Sequence, residues 1–107
     1  MIDEELRAAM RARREAAAAF HRDRRDGVPD PASIEERFAA AVGADRAPAL
    51  WERIAELWRE AQAVPDPPGP MLTVYAPLLQ AWAESHPEVD PEELSHIVHA
   101  LLFEHHR

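Results

Sequence analysis

Apolar residues recur along the chain at the three- and four-residue spacing of amphipathic helices. The clearest case is residues 48–63, where one side is apolar and the other is charged; the apolar side carries Leu50, Ile54, Leu57, Trp58 and Ala61. No segment alternates apolar and polar residues in the way that a half-buried strand would. The pattern predicts an all-α fold, a small bundle of four to five helices with a long N-terminal helix.

Capping residues and prolines predict where the helices begin and end. The approximate spans are 4–25, 31–42, 48–63, 71–85 and 91 to nearly the last residue. Asp30–Pro31 and the pair Ser33 with Glu36 are alternative starts for the second helix, and Asp90 is the expected cap of the fifth. Pro77 removes a backbone donor within the fourth helix, so we expect its first turn to be separate or kinked.

The first helix differs from the others because its apolar stripe is thin. Leu6 and Phe20 lie on that stripe, and Arg13 stands where another apolar residue is expected. Its alanines and arginines give it high helix propensity. We therefore expect one domain in which residues 1–26 form a long Arg/Ala-rich helix and residues 27–107 form a compact acidic bundle. The first helix is expected to pack across the bundle, exchange between subunits or bind a partner.

Charge is uneven along the sequence. Residues 1–26 hold seven arginines and six acidic residues, net +1, whereas residues 27–107 hold five arginines and fourteen acidic residues, net −9, giving −8 in total. Such an acidic body disfavours nucleic acid, because binding to nucleic acid begins with the neutralisation of phosphates. It suits a basic protein partner. An acidic inhibitor or mimic that binds a basic nucleic-acid-binding protein is therefore one alternative function.

The composition excludes several kinds of chemistry. There is no cysteine, which excludes disulfides, iron–sulfur clusters and thiol nucleophiles. No apolar run reaches the ~18 to 20 residues that cross a bilayer, and the first residues lack the apolar segment of a signal peptide, so we expect a cytoplasmic protein with no membrane partner. The sequence contains no glycine-rich phosphate loop and no nucleophile elbow, so enzymatic activity is the less favoured hypothesis.

Four of the six histidines fall within residues 95–107. Glu92, His96 and His99 share one edge of the last predicted helix with His106, away from its apolar side. Two imidazoles and a carboxylate form a ligand set for zinc or iron, so a metal-binding helical protein is a second alternative function. The favoured interpretation is a solvated helix edge with no cofactor, because no other helix offers a matching motif.

Trp51 and Trp58 stand seven residues apart on the broad apolar side of the third helix. Aromatic residues at helical spacing are usually core, but a small bundle can leave an aromatic patch exposed to a partner. The leading hypothesis is a non-catalytic helical protein–protein interaction module, an adaptor, accessory subunit or regulatory binding protein, that also associates with itself. The predicted contact residues are Leu6, Arg13, Phe20, Trp51 and Trp58.

Overall fold

The computed structural model describes residues 1–105, and this part of the chain contains helices and no strands. The helices are α1 (Glu4–Arg25), α2 (Ile34–Val42), α3 (Ala47–Gln62), α4 (Met71–Val74), α5 (Ala76–Glu84) and α6 (Pro91–Glu104). They confirm the predicted all-α class and its long first helix. No helix within residues 1–105 has both the length and the apolar character needed to cross a membrane.

Contacts between Cα atoms divide the chain into two compact units, and the boundary falls inside α3. Residues 4–54 form one unit, the α1–α2 unit, and residues 1–3 with those from 55 onward form the other, the α4–α6 unit. This grouping differs from the division into residues 1–26 and 27–107 that composition suggested. It differs because α1 and α2 pack against each other, a long-range contact that composition does not encode.

Two ion pairs fasten the α1–α2 unit. Arg37 donates from Nη2 to Asp23 Oδ2 at 2.5 Å and from Nε to the carbonyl of Ala32 at 2.8 Å, which joins α2 to α1. Arg46, just before α3, donates from Nε and Nη2 to the two carboxylate oxygens of Glu5 at 2.9 and 2.7 Å. Between these bonds the unit buries its apolar residues Leu6, Ala9, Met10, Ala16, Phe38, Ala47, Leu50 and Ile54.

The start of α2 is set by Ser33, whose Oγ accepts a hydrogen bond from the backbone N–H of Glu36 at 3.0 Å. Of the two predicted starts, the Ser33 cap is therefore right and the start at Asp30–Pro31 is three residues too early. Asp30 instead lies in the preceding loop with φ at +45°, a left-handed conformation that Asp tolerates better than most residues. Because the helix starts after Ser33, α2 has only nine residues.

In the α4–α6 unit, the expected break at Pro77 is present. The first turn is the separate helix α4, Tyr75 stands between the two helices, and Pro77 is the second residue of α5. At that position the missing N–H has no helical acceptor to lose, because the first turn of a helix leaves its N–H groups unbonded. Tyr75 and Leu79 are fully buried next to this break.

Helix α6 begins as predicted, with Asp90 Oδ1 accepting from the N–H of Glu92 at 3.2 Å. Its far end contacts the proline-rich segment between α3 and α4, residues 63–70, because His105 Nδ1 lies 2.9 Å from Asp66 Oδ2. The His105 ring also packs against Tyr75, with ring centres 5.0 Å apart. The last turn of α6 is thus fixed by tertiary contacts.

Candidate interaction surface

Arg13 stands in the apolar stripe of α1 because its guanidinium lies against an aromatic ring. Its Cζ atom is 4.7 Å from the centre of the Trp51 ring, a cation–π contact. Trp51 is held in turn by an edge-to-face contact with the buried Phe38, whose ring centre lies 5.1 Å away. The Arg13 guanidinium, packed on the Trp51 ring, therefore takes the place of the missing apolar residue in the stripe of α1.

The Nη1 atom of Arg13 is buried and has no hydrogen-bond partner among the described residues. Burial lowers the pKa of Arg13 below its ordinary value, because desolvation disfavours the charged form. The guanidinium nevertheless stays protonated in a protein at neutral pH. A buried donor without an acceptor costs about 1–3 kcal/mol, a cost that the contact with Trp51 offsets in part.

Two open grooves meet at Trp51, and we call them together the Trp51 groove. The larger, about 510 Å³, is lined by Arg13, Ala17, Phe20, Ser33, Ile34, Glu35 and Trp51. The smaller, about 290 Å³, is lined by Glu35, Phe38, Ala39, Ala47, Pro48 and Trp51. Both lie wholly within the α1–α2 unit. They present an apolar, aromatic floor with one cation and one carboxylate at its edges.

Phe20 supplies the aromatic end of the larger groove. It is half-buried, and Arg24 lies over its ring at 5.8 Å from the centre. The ring of His21 touches it edge-on, with centres 5.5 Å apart. An apolar floor bounded by arginines is the composition that protein interfaces favour, since aromatic residues and arginine are enriched there.

The structure brings together three of the five predicted contact residues. Arg13, Phe20 and Trp51 are half-buried and line one groove. Leu6 is only 3% exposed, so its assignment as a contact residue is corrected: its side chain is core and inaccessible to a partner. Trp58 is half-buried but belongs to the α4–α6 unit and lines neither part of the groove.

Sequence reasoning missed the α2 side of the groove. Ile34 and Glu35, in the first turn of α2, face Arg13 and Phe20 of α1 across it. The only sequence signal was the apolar character of Ile34 at the start of a helix. The Arg37–Asp23 bond joins α2 to α1, and no local pattern encodes it.

The predicted metal ligands lie along α6. Glu92, His96 and His99 are all exposed on α6, and within residues 1–105 no group of three or more His, Asp or Glu side chains is placed to hold a metal ion. His106, which was expected on the same edge, lies outside the described residues.

His86 contacts two carboxylates in the α4–α6 unit. Its Nε2 lies 2.7 Å from Glu60 Oε1 and its Nδ1 lies 3.2 Å from Glu88 Oε2. Trp82 Nε1 donates to the same Glu60 oxygen at 3.2 Å. Because the two carboxylates contact opposite nitrogens of the ring, they do not converge on one point, and the cluster joins α3, α5 and the turn before α6.

Charge is also divided unequally between the two units. The α1–α2 unit, residues 4–54, has ten arginines and ten acidic residues and is neutral. Residues 1–3 and 55–107 have two arginines and ten acidic residues, so they carry the whole net charge of −8. The Trp51 groove thus lies on the neutral, arginine-rich unit.

Comparison of the chain with protein-family models, with curated proteins and with solved structures gives no match. The features of the chain that bear on its function are therefore the geometry of the Trp51 groove and the distribution of charge.

Proposed function

We propose that this chain is a helical protein–protein interaction module, an adaptor, accessory subunit or regulatory binding protein, that binds its partner through the Trp51 groove. The observation that carries the proposal is the open groove in which the Arg13 guanidinium lies on the half-buried Trp51 ring. Tryptophan and arginine are the residues that most often dominate binding energy at protein interfaces. A partner side chain seated in the groove would cover the exposed part of the Trp51 ring.

The composition of the groove supports a protein partner. Its floor combines the rings of Trp51 and Phe20 with the aliphatic side chain of Ile34. Apolar contact alone does not fix the orientation of a bound partner. Polar lining residues such as Glu35 can fix it through hydrogen bonds. Both grooves are open and meet at Trp51, so a side chain that projects from the surface of another protein could enter them.

The test fills the groove without disturbing the fold. Ala17 lines the groove and Ala18, the next residue of α1, is exposed and does not line it. The variant Ala17→Gln adds a helix-favouring side chain inside the groove, and Ala18→Gln adds the same side chain outside it. Circular dichroism and thermal unfolding first establish that both variants remain folded.

The purified chain and both variants are then used as bait in an extract of the source cells, with quantitative mass spectrometry of the retained proteins. We expect proteins retained by the wild-type chain and by Ala18→Gln to be lost with Ala17→Gln. Equal retention by all three would contradict binding through this groove.

A second candidate function follows from the segregation of charge. The α4–α6 unit carries a net charge of −8, and Glu84, Glu92 and Glu104 are exposed on its surface. An acidic surface of this kind would bind a basic nucleic-acid-binding protein in place of nucleic acid. Binding to such a protein should weaken steeply as salt is raised, because salt screens exposed charges. Affinity that is unchanged between low and high salt would count against this candidate.

A further inference from the structure

We infer that a second groove, between α5 and α6, binds a basic amphipathic helix of a partner protein, which sets apolar side chains on the groove floor and a lysine or arginine at Glu84. The inference rests on the second candidate function, since it names a docking site for a basic partner on the acidic α4–α6 unit. It is independent of the Trp51 groove. It is carried by the shape of this groove, by a carboxylate that has no cation beside it, and by the charge of the unit.

The second groove, which we call the α5–α6 groove, has a volume of about 410 Å³ and lies wholly within the α4–α6 unit. Gln80 and Glu84 line it from one face of α5, where they stand one turn apart. Leu94 and Val98 line it from one face of α6, also one turn apart. A groove with helical faces as its sides is the setting in which an amphipathic helix of a partner docks.

The floor of the α5–α6 groove is apolar. Val89, Leu94 and Val98 lie almost out of reach of water, at 2%, 4% and 7% exposure. Ile2, in the short segment before α1, also lines the groove and is only half-buried. An apolar partner side chain seated here would remove the rest of Ile2 from water, which is favourable in proportion to the apolar area covered.

Glu84 supplies the preference for a cation. It is exposed, lines the groove and is the last residue of α5, where the negative end of the helix dipole disfavours a carboxylate. Its carboxylate accepts a long hydrogen bond of 3.4 Å from Gln80 Nε2, and no basic side chain within residues 1–105 forms an ion pair with it. A lysine or arginine of the partner would offset the helix dipole and give this carboxylate a charge-assisted hydrogen bond.

The charge of the whole unit favours the same partner. Residues 1–3 and 55–107 carry the net charge of −8 with only two arginines. Glu92 is exposed at the start of α6, directly after Pro91 of the groove lining. Opposite charge draws a basic partner to such a surface and fixes its orientation there, whereas an acidic helix with the same apolar face would be repelled.

The first experiment varies the probe. A labelled amphipathic peptide of leucine and lysine, about 14 residues or four turns long, is titrated with the untagged chain and followed by fluorescence anisotropy. We expect a dissociation constant between about 1 and 100 μM, as for a small interface. Replacing the leucines with alanine, or the lysines with glutamate, should each weaken binding at least about tenfold. Equal binding of the alanine peptide would overturn the inference, because the apolar floor would then contribute nothing.

The second experiment varies the chain, with Glu84→Arg and the matched control Glu104→Arg. Both glutamates are exposed and each is the last residue of its helix, so the two variants have the same net charge and the same relation to a helix dipole. Glu104 does not line the groove. We expect Glu84→Arg to weaken binding of the leucine–lysine peptide at least about tenfold, and Glu104→Arg to bind nearly as the wild type does. Equal losses in the two variants would overturn the inference.

A steric pair checks the groove without a change of charge. Ser95 is half-buried on α6 and lines the groove, whereas Ala100 is half-buried on the same helix and does not line it. Circular dichroism and thermal unfolding first establish that Ser95→Gln and Ala100→Gln remain folded. We expect only Ser95→Gln to weaken binding of the leucine–lysine peptide, and unchanged binding by folded Ser95→Gln would overturn the inference.

Salt separates this inference from the second candidate function. If peptides that contain lysine bind at low salt, weaken as salt is raised and respond equally to Glu84→Arg and Glu104→Arg, the acidic unit binds basic partners and the groove is not their site. If neither the leucine–lysine peptide nor the alanine–lysine peptide binds at low salt, both the docking site and the acidic candidate function are wrong.

Discussion

Arg13 of α1 and Trp51 of α3 lie in direct cation–π contact, with the guanidinium carbon 4.7 Å from the centre of the indole ring. The contact explains why an arginine stands at a position where helical periodicity calls for an apolar residue. The flat guanidinium covers the ring as an apolar side chain would, while it keeps a charge at the edge of the groove. One residue thus takes part in both the packing and the proposed binding surface.

Replacing Arg13 with methionine should separate these two roles. Methionine keeps a long side chain against Trp51 and removes the buried donor that has no acceptor. Since that donor costs about 1–3 kcal/mol and a desolvated cation–π contact returns about 2 kcal/mol, the two contributions nearly cancel, and Arg13→Met should unfold at about the same urea concentration as the wild type. Arg13→Ala, which also loses the packing, serves as the comparison. A clearly lower midpoint for Arg13→Met would mean that the cation–π contact outweighs the cost of the buried donor.

Phe38 and Phe103 should respond to alanine substitution in opposite ways. Phe38 is 1% exposed and supports Trp51, so Phe38→Ala should lower the free energy of unfolding by about 3–5 kcal/mol. Phe103 is 83% exposed, so Phe103→Ala should change it by no more than about 0.5 kcal/mol. Chemical denaturation at low protein concentration measures both. A large loss with Phe103→Ala would show that its ring is packed within the chain.

The cap at Ser33 should be measurable on its own. Ser33→Ala removes the oxygen that accepts from Glu36 N–H, and we expect a loss of about 1 kcal/mol in the free energy of unfolding. Ser33→Asp retains an acceptor at the same place and should keep most of that stability. Equal losses in the two variants would indicate that α2 starts elsewhere.

Glu5 should titrate below the ordinary range of glutamate. The hydrogen bond from Arg46 lowers the pKa of Glu5, and the charge of Arg46 acts in the same direction. Because the pKa is lower in the folded chain, the stability this pair contributes is present above the ordinary carboxyl pKa and is lost as pH falls through the lowered value.

Side-chain carboxyl chemical shifts followed against pH by NMR measure this pKa directly. Arg46→Gln should return the pKa of Glu5 toward its ordinary value. The control Arg11→Gln removes an arginine of α1 that pairs with Glu15. It should leave the pKa of Glu5 unchanged. A Glu5 pKa that does not respond to Arg46→Gln would show that the bidentate pair does not form in solution.

Much of the local structure could be predicted from the sequence, because its causes are local. The apolar period of 48–63 corresponds to α3, Pro77 separates α4 from α5, and Asp90 caps α6. Each of these depends on residues within a few positions of one another. The start of α2 was ambiguous because Asp30–Pro31 and Ser33 both carry local start signals, and the bond to Glu36 favours Ser33.

The candidate surface could be predicted only in part. Helical periodicity placed Arg13, Phe20 and Trp51 among the contact residues, and the structure brings these three together in one groove. The same periodicity also selected Leu6, which is buried, since a stripe position is equally suited to the core and to an interface. The α5–α6 groove was not identified, because it forms only where α5 and α6 pack together.

What the sequence by itself determined is the class of the fold and the extent of its helices, because hydrogen bonding, capping and proline effects act within one or two helical turns. What only the tertiary structure decided is which helix faces which. The Arg37–Asp23 bond, the placing of Arg13 over Trp51 and the contact of His86 with Glu60 join residues 14, 38 and 26 positions apart. Contacts at such separations depend on chain folding in three dimensions, and no local pattern specifies them.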